Sequence, residues 1–121
     1  MSSDPFIGEI SMFAGNYAPE GWAFCNGQLM DIGQNSALFS ILGTIYGGDG
    51  IRTFALPDLR GRAPVHAGQA PGTDRVGLGD NNHSWSEPVV KAEGGKSSAH
   101  LLPFLGVNFI IALEGIYPAH S

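Results

Sequence analysis

Cysteine and charge are both scarce in this sequence. Cys25 is the only cysteine among the 121 residues, so no disulfide can form within the chain. Its neighbours Ala23 and Phe24 are apolar, which predicts a buried thiol without a redox role. Asp, Glu, Lys and Arg make up 14% of the chain, against about 25% in an average globular domain. The low charge predicts that other copies of the chain cover part of the surface.

Basic residues and long apolar runs are also missing. The six Lys and Arg residues are scattered and the net charge is −5, which argues against a nucleic-acid partner because such binding needs clustered positive charge. No stretch reaches the roughly 18 apolar residues of a membrane span, so we expect no membrane insertion. Residues 1–10 lack the features of a secretory signal peptide. We expect synthesis in the cytoplasm, and a function outside the cell or on a virion would need another exit route.

The sequence carries no recognisable catalytic motif. It has neither the G-x-S-x-G nucleophile elbow nor the G-x-x-x-x-G-K-[ST] phosphate loop, and its carboxylates form no acid–base pair at a familiar spacing. We predict no enzyme activity, no catalytic residue and no cofactor. The four histidines are far apart in sequence, which predicts no metal site within one chain. The weak alternative is a metal on the threefold axis of a trimer, held by His66 or His100.

Glycine is abundant, with 18 residues. Several glycines lie in residues 41–62, a stretch that also contains the end of a predicted helix, a predicted strand and a proline after it. Gly47, Gly48 and Gly50 predict a turn in which the backbone adopts positive φ, and Asp49 can accept hydrogen bonds from the amides of that turn. We predict a structural role for all four residues. A Ca²⁺ site at Asp49 is the alternative, although the ligand pattern of an EF-hand is missing.

Three charged residues follow this turn closely. Thr53–Leu56 is a predicted strand that Pro57 ends, and Asp58, Arg60 and Arg62 come next, beside apolar residues. Arginine forks commonly tie irregular backbone together through carbonyls and carboxylates. We therefore predict that these three residues are structural, and that the loss of either arginine lowers stability markedly if their ion pair is buried.

Alternation and turn signals predict the elements before this stretch. Ile7–Ala14 alternates apolar and polar residues, as a half-buried strand does. Asn26-Gly27 is a strong hairpin signal, so Trp22–Cys25 and Gln28–Met30 are predicted to pair with each other.

Helical spacing and apolar runs predict the other elements. Ser36–Leu42 is a predicted helix, started by a side-chain cap from Asn35 or Ser36 and ended at Gly43. Ala63–Ala67 is a predicted short strand. Val107–Leu113 is apolar on both faces, so we expect this strand to be covered on both faces, either by the chain itself or by a neighbouring subunit.

Four stretches of the chain, in the same order, resemble the phage tail collar domain and its free-standing bacterial members, the microcystin-dependent proteins. They are GWAFCNGQ (21–28), ALFSILGTIYGGDG (37–50), TFALPDLRGR (53–62) and NFIIALEGIYP (108–118). The resemblance implies a virion-derived structural module, used in tail fibres and surface appendages, without catalysis.

These signals together predict an α+β fold that is mainly β. We expect one collar-like domain over residues 1–121, with short strands, one short helix and a long irregular lobe. Residues 1–67 and 100–121 form the expected family core, and residues 68–99 form a variable lobe in which the resemblance is weak. Related chains often carry a His-x-His motif in that region, and this chain has none.

Two functions remain open. The first is a self-assembling module of a phage-tail-derived or extracellular appendage, whose partner is the chain itself in a head-to-tail filament; a closed trimer is the alternative assembly. No fibrous shaft precedes the first family strand, so we expect the N-terminal segment, Ser2–Ile7, to be held by a neighbouring subunit. The interface would contain Pro5, Phe6 and Ile7.

The second function is a trimeric tail-fibre tip or adhesin that is carried by another appendage protein and binds a cell-surface receptor or glycan. The variable lobe would then make the contact, because long loops in compact domains often bind ligands. The contact residues would be Asn81, Asn82, His83 and Trp85.

Overall fold

Short antiparallel strands dominate the protein. The computed structural model describes residues 4–81 and 103–120. Within them the predicted α+β, mainly β class is confirmed. The elements, in chain order, are β1 (Ile10–Phe13), β2 (Trp22–Phe24), β3 (Leu29–Asp31), α1 (Ser36–Leu42), β4 (Thr53–Ala55) and β5 (Asn108–Ala112).

β5 is the central strand of a three-stranded sheet. It pairs antiparallel with β1 on one side and with β2 on the other, so that Ile111 lies opposite both Ile10 and Ala23. β3 and β4 form a separate two-stranded antiparallel sheet. The strand nearest the C-terminus therefore joins the two strands nearest the N-terminus.

The hairpin predicted at Asn26-Gly27 is wrong. β2 pairs with β5 and β3 pairs with β4, so the two strands on either side of this dipeptide lie in different sheets. A type I′ turn needs positive φ at both central residues, and here Gly27 has a φ of 72° whereas Asn26 does not adopt positive φ. Instead, Asn26 forms a bridge with Asp58, and the Gly27 amide donates to the Pro57 carbonyl at 3.1 Å. The dipeptide carries the chain from one sheet to the other.

Two other local predictions are also wrong. The side-chain cap expected from Asn35 or Ser36 is absent: Asn35 is the N-cap residue of α1 and makes no side-chain capping bond, and its amide group instead donates to the backbone carbonyl of Asp31 at 3.0 Å. Residues 63–67 form no strand, because Pro64 has no amide to donate to a ladder and the segment is mostly exposed.

α1 has the bounds that the sequence predicts. Leu38 and Leu42, which are one helical turn apart, are buried in the core. Gly43 ends the helix with a φ of 55°, and its amide donates to the Phe39 carbonyl at 2.7 Å. Among residues 4–81 and 103–120, no helix combines the length and the apolar character needed to cross a membrane.

The core is built around β5. Ile110, Ile111 and Ala112 are fully buried, and because neighbouring residues of a strand point to opposite faces, both faces of β5 are covered. Ile111 packs in a cluster with Phe54, Leu56 and other buried side chains. The two-sided burial that the sequence predicts for Val107–Leu113 is confirmed at Ile110, Ile111 and Ala112, where residues of the same chain provide it, whereas Val107 is 41% exposed.

The described residues belong to two compact units. The first consists of residues up to Pro64 together with those from Val107 onward, and it contains α1 and all five strands described above. The second consists of residues from Val65 to Gly106. Within its described part, Gly68 and Val76 form an isolated bridge with amide–carbonyl distances of 2.7 and 2.8 Å.

Candidate functional site

The turn between α1 and β4 requires glycine. Gly47, Gly48 and Gly50 have φ values of 131°, 95° and 74°. A Cβ added to Gly48 would lie 2.7 Å from the Thr53 carbonyl oxygen and 2.8 Å from the Phe54 nitrogen, which is closer than real Cβ atoms approach backbone. The turn therefore packs directly on the backbone of β4, and no other residue fits at position 48.

Asp49 holds this turn closed. Its Oδ1 accepts hydrogen bonds from the amides of Thr53, Arg52 and Ile51 at 2.9, 2.9 and 2.8 Å. These bonds, that from Thr53 first, favour the charged form and lower the pKa of Asp49 to about 2. Within the part of the chain that the structure describes, no group of three or more His, Cys, Asp or Glu side chains is placed to share a metal ion. The Asp49 carboxylate serves the backbone of the turn.

A second carboxylate, Asp58, organises the loop after β4. The Arg60 side chain donates two hydrogen bonds to it, from Nε to Oδ1 and from Nη2 to Oδ2, each at 2.9 Å. This side-chain pairing is the main reason why the pKa of Asp58 is lowered to about 2, and the pKa of Arg60 is raised in return. The Arg60 side chain is 68% exposed, so the ion pair lies at the surface.

Arg62 ties the same loop together in another way. Its Nη1 donates to the backbone carbonyl of Asp58 at 2.8 Å and lies 4.0 Å from the Asp58 carboxylate. The Arg62 side chain is 27% exposed, less than half as much as that of Arg60. The structural role predicted for these three residues is supported by their contacts, but the premise of a buried ion pair is wrong.

The two arginines should therefore differ in their contribution to stability. We expect Arg62→Ala to lower the free energy of unfolding by about 1 to 2 kcal/mol, because it removes a charged hydrogen bond to a part-buried carbonyl. Arg60→Ala should change the urea midpoint little, because solvent screens an exposed pair. Urea denaturation followed by circular dichroism measures both, with Arg75→Ala, an exposed arginine of the second unit, as the control. A larger loss for Arg60→Ala than for Arg62→Ala would contradict this assignment.

An open groove lies where β2 ends and β5 begins, with a volume of about 260 Å³. We call it the β5 groove. Cys25 lines it, but burial raises the pKa of that thiol to about 11, so the thiol stays protonated and a poor nucleophile at neutral pH. The lining of the groove is apolar at Leu59, Val107 and Phe109 and polar at Asn26, Arg60 and Asn108.

The N-terminal segment is held by the chain's own C-terminal segment. Phe6 and Ile116 form a parallel bridge, in which the Ile7 amide donates to Ile116 at 2.9 Å and the Ile116 amide donates to Pro5 at 2.8 Å. A Cβ added to Gly115 would collide with the Pro5 carbonyl. Ile7 itself lies in the core with 8% exposure. A neighbouring subunit is therefore not needed to hold this segment. Of the interface predicted at Pro5, Phe6 and Ile7, the Phe6 side chain, which is 53% exposed, is the part most available to another copy.

Most of the predicted ligand contacts are not brought together by the described structure. Asn81 and His66 are exposed residues of the second unit. Asn82, His83, Trp85 and His100 lie outside the described residues, so a ligand site in the lobe stays a prediction.

Sequence reasoning missed two features of this site. One is the exposed pair of Phe6 and Ile116, which we call the terminal pair; the other is the β5 groove. Both are formed by segments that are far apart in the sequence. An exposed apolar residue near each terminus was the one available signal, and it does not reveal the pairing.

The chain was compared with protein families, curated proteins and solved structures. The family model described as the Phage Tail Collar Domain matches residues 8–64. No curated protein and no solved structure matches the chain. The matched residues run from the start of the first unit through the glycine turn to the loop that Asp58 organises.

Proposed function

We propose that the chain carries a structural module of the tail-fibre type and self-associates into a filament, because its residues 8–64 match the phage tail collar domain. The filament would be a homopolymer belonging to a phage-tail-derived or extracellular appendage. The family match is the observation that carries this proposal. The contacts of the individual residues support it in two further ways.

Exposed apolar side chains supply a reason for self-association. Among the described residues, more large hydrophobic side chains are exposed than buried. Such side chains mark interaction surfaces when they are contiguous, and few charges oppose their burial in this chain. Exposed examples include Phe6, Leu105 and Ile116.

The charged groups of the described site support a structural role over a catalytic one. The carboxylate of Asp49 accepts three backbone amides, and that of Asp58 pairs with Arg60. Both carboxylates have lowered pKa values, so at neutral pH they are charged and cannot act as general acids. These groups hold backbone in place.

The assembly we favour is a head-to-tail filament, with a closed trimer as the alternative. A contact between two different surfaces repeats without limit when its rotation does not close a ring, whereas a closing rotation gives a trimer. Light scattering of the purified chain over a range of concentrations, followed by negative-stain microscopy, separates the two. We expect species of increasing mass and elongated particles. A fixed mass of three copies would support the trimer, and a monomer at every concentration would refute self-association.

A second candidate is a trimeric tip that binds a cell-surface receptor or glycan. The observation in its favour is that residues from Val65 to Gly106 form a unit that contains none of the matched residues. A glycan array probed with the full chain tests this candidate, with Trp85→Ala as the variant expected to lose binding and His66→Ala as its control. Binding that is lost in Trp85→Ala alone would favour the tip over the filament.

A further inference from the structure

We propose that self-association joins the terminal pair of one copy to the β5 groove of the next. This inference rests on the proposed function, since it names the two surfaces through which copies of the chain would bind each other. Phe6 and Ile116 are the inserting side chains, and Leu59, Val107 and Phe109 are the apolar residues that receive them.

The terminal pair is a preorganised apolar surface. Phe6 and Ile116 lie opposite each other in a β-bridge, so their side chains share one side of it. They are 53% and 49% exposed. The Glu9 carboxylate accepts the Phe6 amide at 3.1 Å, and the Ile116 backbone is bonded to Pro5. Because the backbone of the pair is already fixed, its insertion costs little additional ordering of the chain.

The β5 groove has the size to receive this pair, and its lining is partly apolar and partly polar. A cavity of about 150 Å³ is enough to hold a benzene molecule, and the groove offers about 260 Å³. The ring of Phe6 together with part of Ile116 would therefore fit. The apolar residues Leu59, Val107 and Phe109 would contact the inserted side chains, while Asn26 and Asn108 would lie at the polar rim.

The two surfaces lie at opposite ends of one strand. The groove is lined by Val107, Asn108 and Phe109 at the start of β5, and Ile116 follows the end of β5. The five residues of β5 span about 16 Å, at about 3.3 Å per residue. The terminal pair of one copy therefore does not occupy its own groove. A contact between two different surfaces is heterologous, and it propagates as a chain of copies when its rotation does not close a ring.

Charge complementarity favours a second copy of this chain as the occupant of the β5 groove. The Glu9 carboxylate accepts a hydrogen bond from the Phe6 amide, and Glu114 lies two residues before Ile116, so the terminal pair carries acidic neighbours. Beside the groove, Arg60 and Arg62 carry two positive charges, and the Asp58 carboxylate that both approach carries one negative charge, so this edge is net positive. Arg60 directs Nε and Nη2 at Asp58 and has further N–H donors on an exposed guanidinium. An acidic edge meeting a basic one favours this orientation of docking, and it predicts that added salt weakens the contact.

Two variants that each remove one surface provide the test. Phe6→Glu damages the terminal pair and leaves the groove intact, while Val107→Asp damages the groove and leaves the pair intact. Each variant alone should associate at least about tenfold more weakly than the unmodified chain. Mixed in equal amounts, they should form a dimer of twice the monomer mass and nothing larger, because only one productive contact remains. Leu29→Glu, which changes a residue on β3 that is 64% exposed, is the control and should assemble like the unmodified chain.

Light scattering with circular dichroism of each variant reads out both association and folding. If Val107→Asp does not fold, Val107→Cys mixed with Phe6→Cys replaces it, both with Cys25→Ala because Cys25 lines the same groove. Oxidation of the two thiols by dissolved oxygen should give a disulfide between the two variants that a reductant cleaves. Three results would overturn the assignment of surfaces. The first is that either charge variant assembles as well as the unmodified chain, and the second is that the mixed dimer or the mixed disulfide does not form. The third is that Leu29→Glu loses assembly. An unmodified chain that stays monomeric would instead refute the proposed function itself.

Discussion

The Gly48→Ala variant should lose more than about 3 kcal/mol of unfolding free energy, which is a large fraction of the roughly 5 to 15 kcal/mol typical of a domain. Two effects add at this position. The φ of 95° strains any residue with a Cβ, and that Cβ would press on the Thr53 carbonyl and the Phe54 nitrogen. Because these neighbours are backbone atoms of β4, they cannot move without disturbing the strand.

Gly61→Ala is the matched control for Gly48→Ala. Gly61 also has positive φ, 68°, but a Cβ added there meets nothing within 4 Å. Its replacement should therefore cost only the conformational strain, about 1 kcal/mol. Urea denaturation of both variants, followed by circular dichroism, separates strain from collision. Equal losses for the two variants would show that the close approach to β4 does not determine the need for glycine.

Local structure could be predicted from the sequence because its causes are local. α1 follows from the spacing of Leu38 and Leu42 and from Gly43 after them. The turn at residues 47–50 follows from its glycines and from one carboxylate that can reach nearby amides. Each of these signals lies within a few residues of the structure that it causes.

Pairing between distant segments could not be predicted, because the sequence does not state which strand a strand will join. Asn26-Gly27 has the composition of a tight hairpin, yet it does not pair the two strands beside it. Cys25 bonds to Phe109 of β5, whereas the next two residues pair with the segment after β4, Asn26 with Asp58 and Gly27 with Pro57. The two contacts of the site that matter most, the bridge of Phe6 with Ile116 and the lining of the β5 groove, are of the same non-local kind. The ion pair of Asp58 and Arg60 was foreseen, but its exposure was not, since burial depends on packing by distant residues.

The burial of both faces of β5 predicts a large loss of stability when an isoleucine on either face is shortened. Ile111 faces the core cluster, and Ile110, opposite Ser11 and Phe24, faces the other side of the sheet; both are fully buried. We expect Ile110→Ala and Ile111→Ala each to lower the free energy of unfolding by about 2 to 5 kcal/mol, through lost apolar burial and the cavity left behind. Urea denaturation at a protein concentration where the chain is monomeric measures both.

The comparison of Ile110→Ala with Ile111→Ala decides what covers the second face of the sheet. If residues of the same chain cover it, as in the structure, both variants are destabilised as monomers, and Met12→Ala, an exposed apolar change on the adjacent strand, costs under about 0.5 kcal/mol. If a neighbouring subunit covered that face, Ile110→Ala would leave the monomer nearly unchanged and weaken assembly instead. A small loss of unfolding free energy in Ile110→Ala would therefore indicate that copies of the chain associate through the face of this sheet and not through surfaces at the ends of β5.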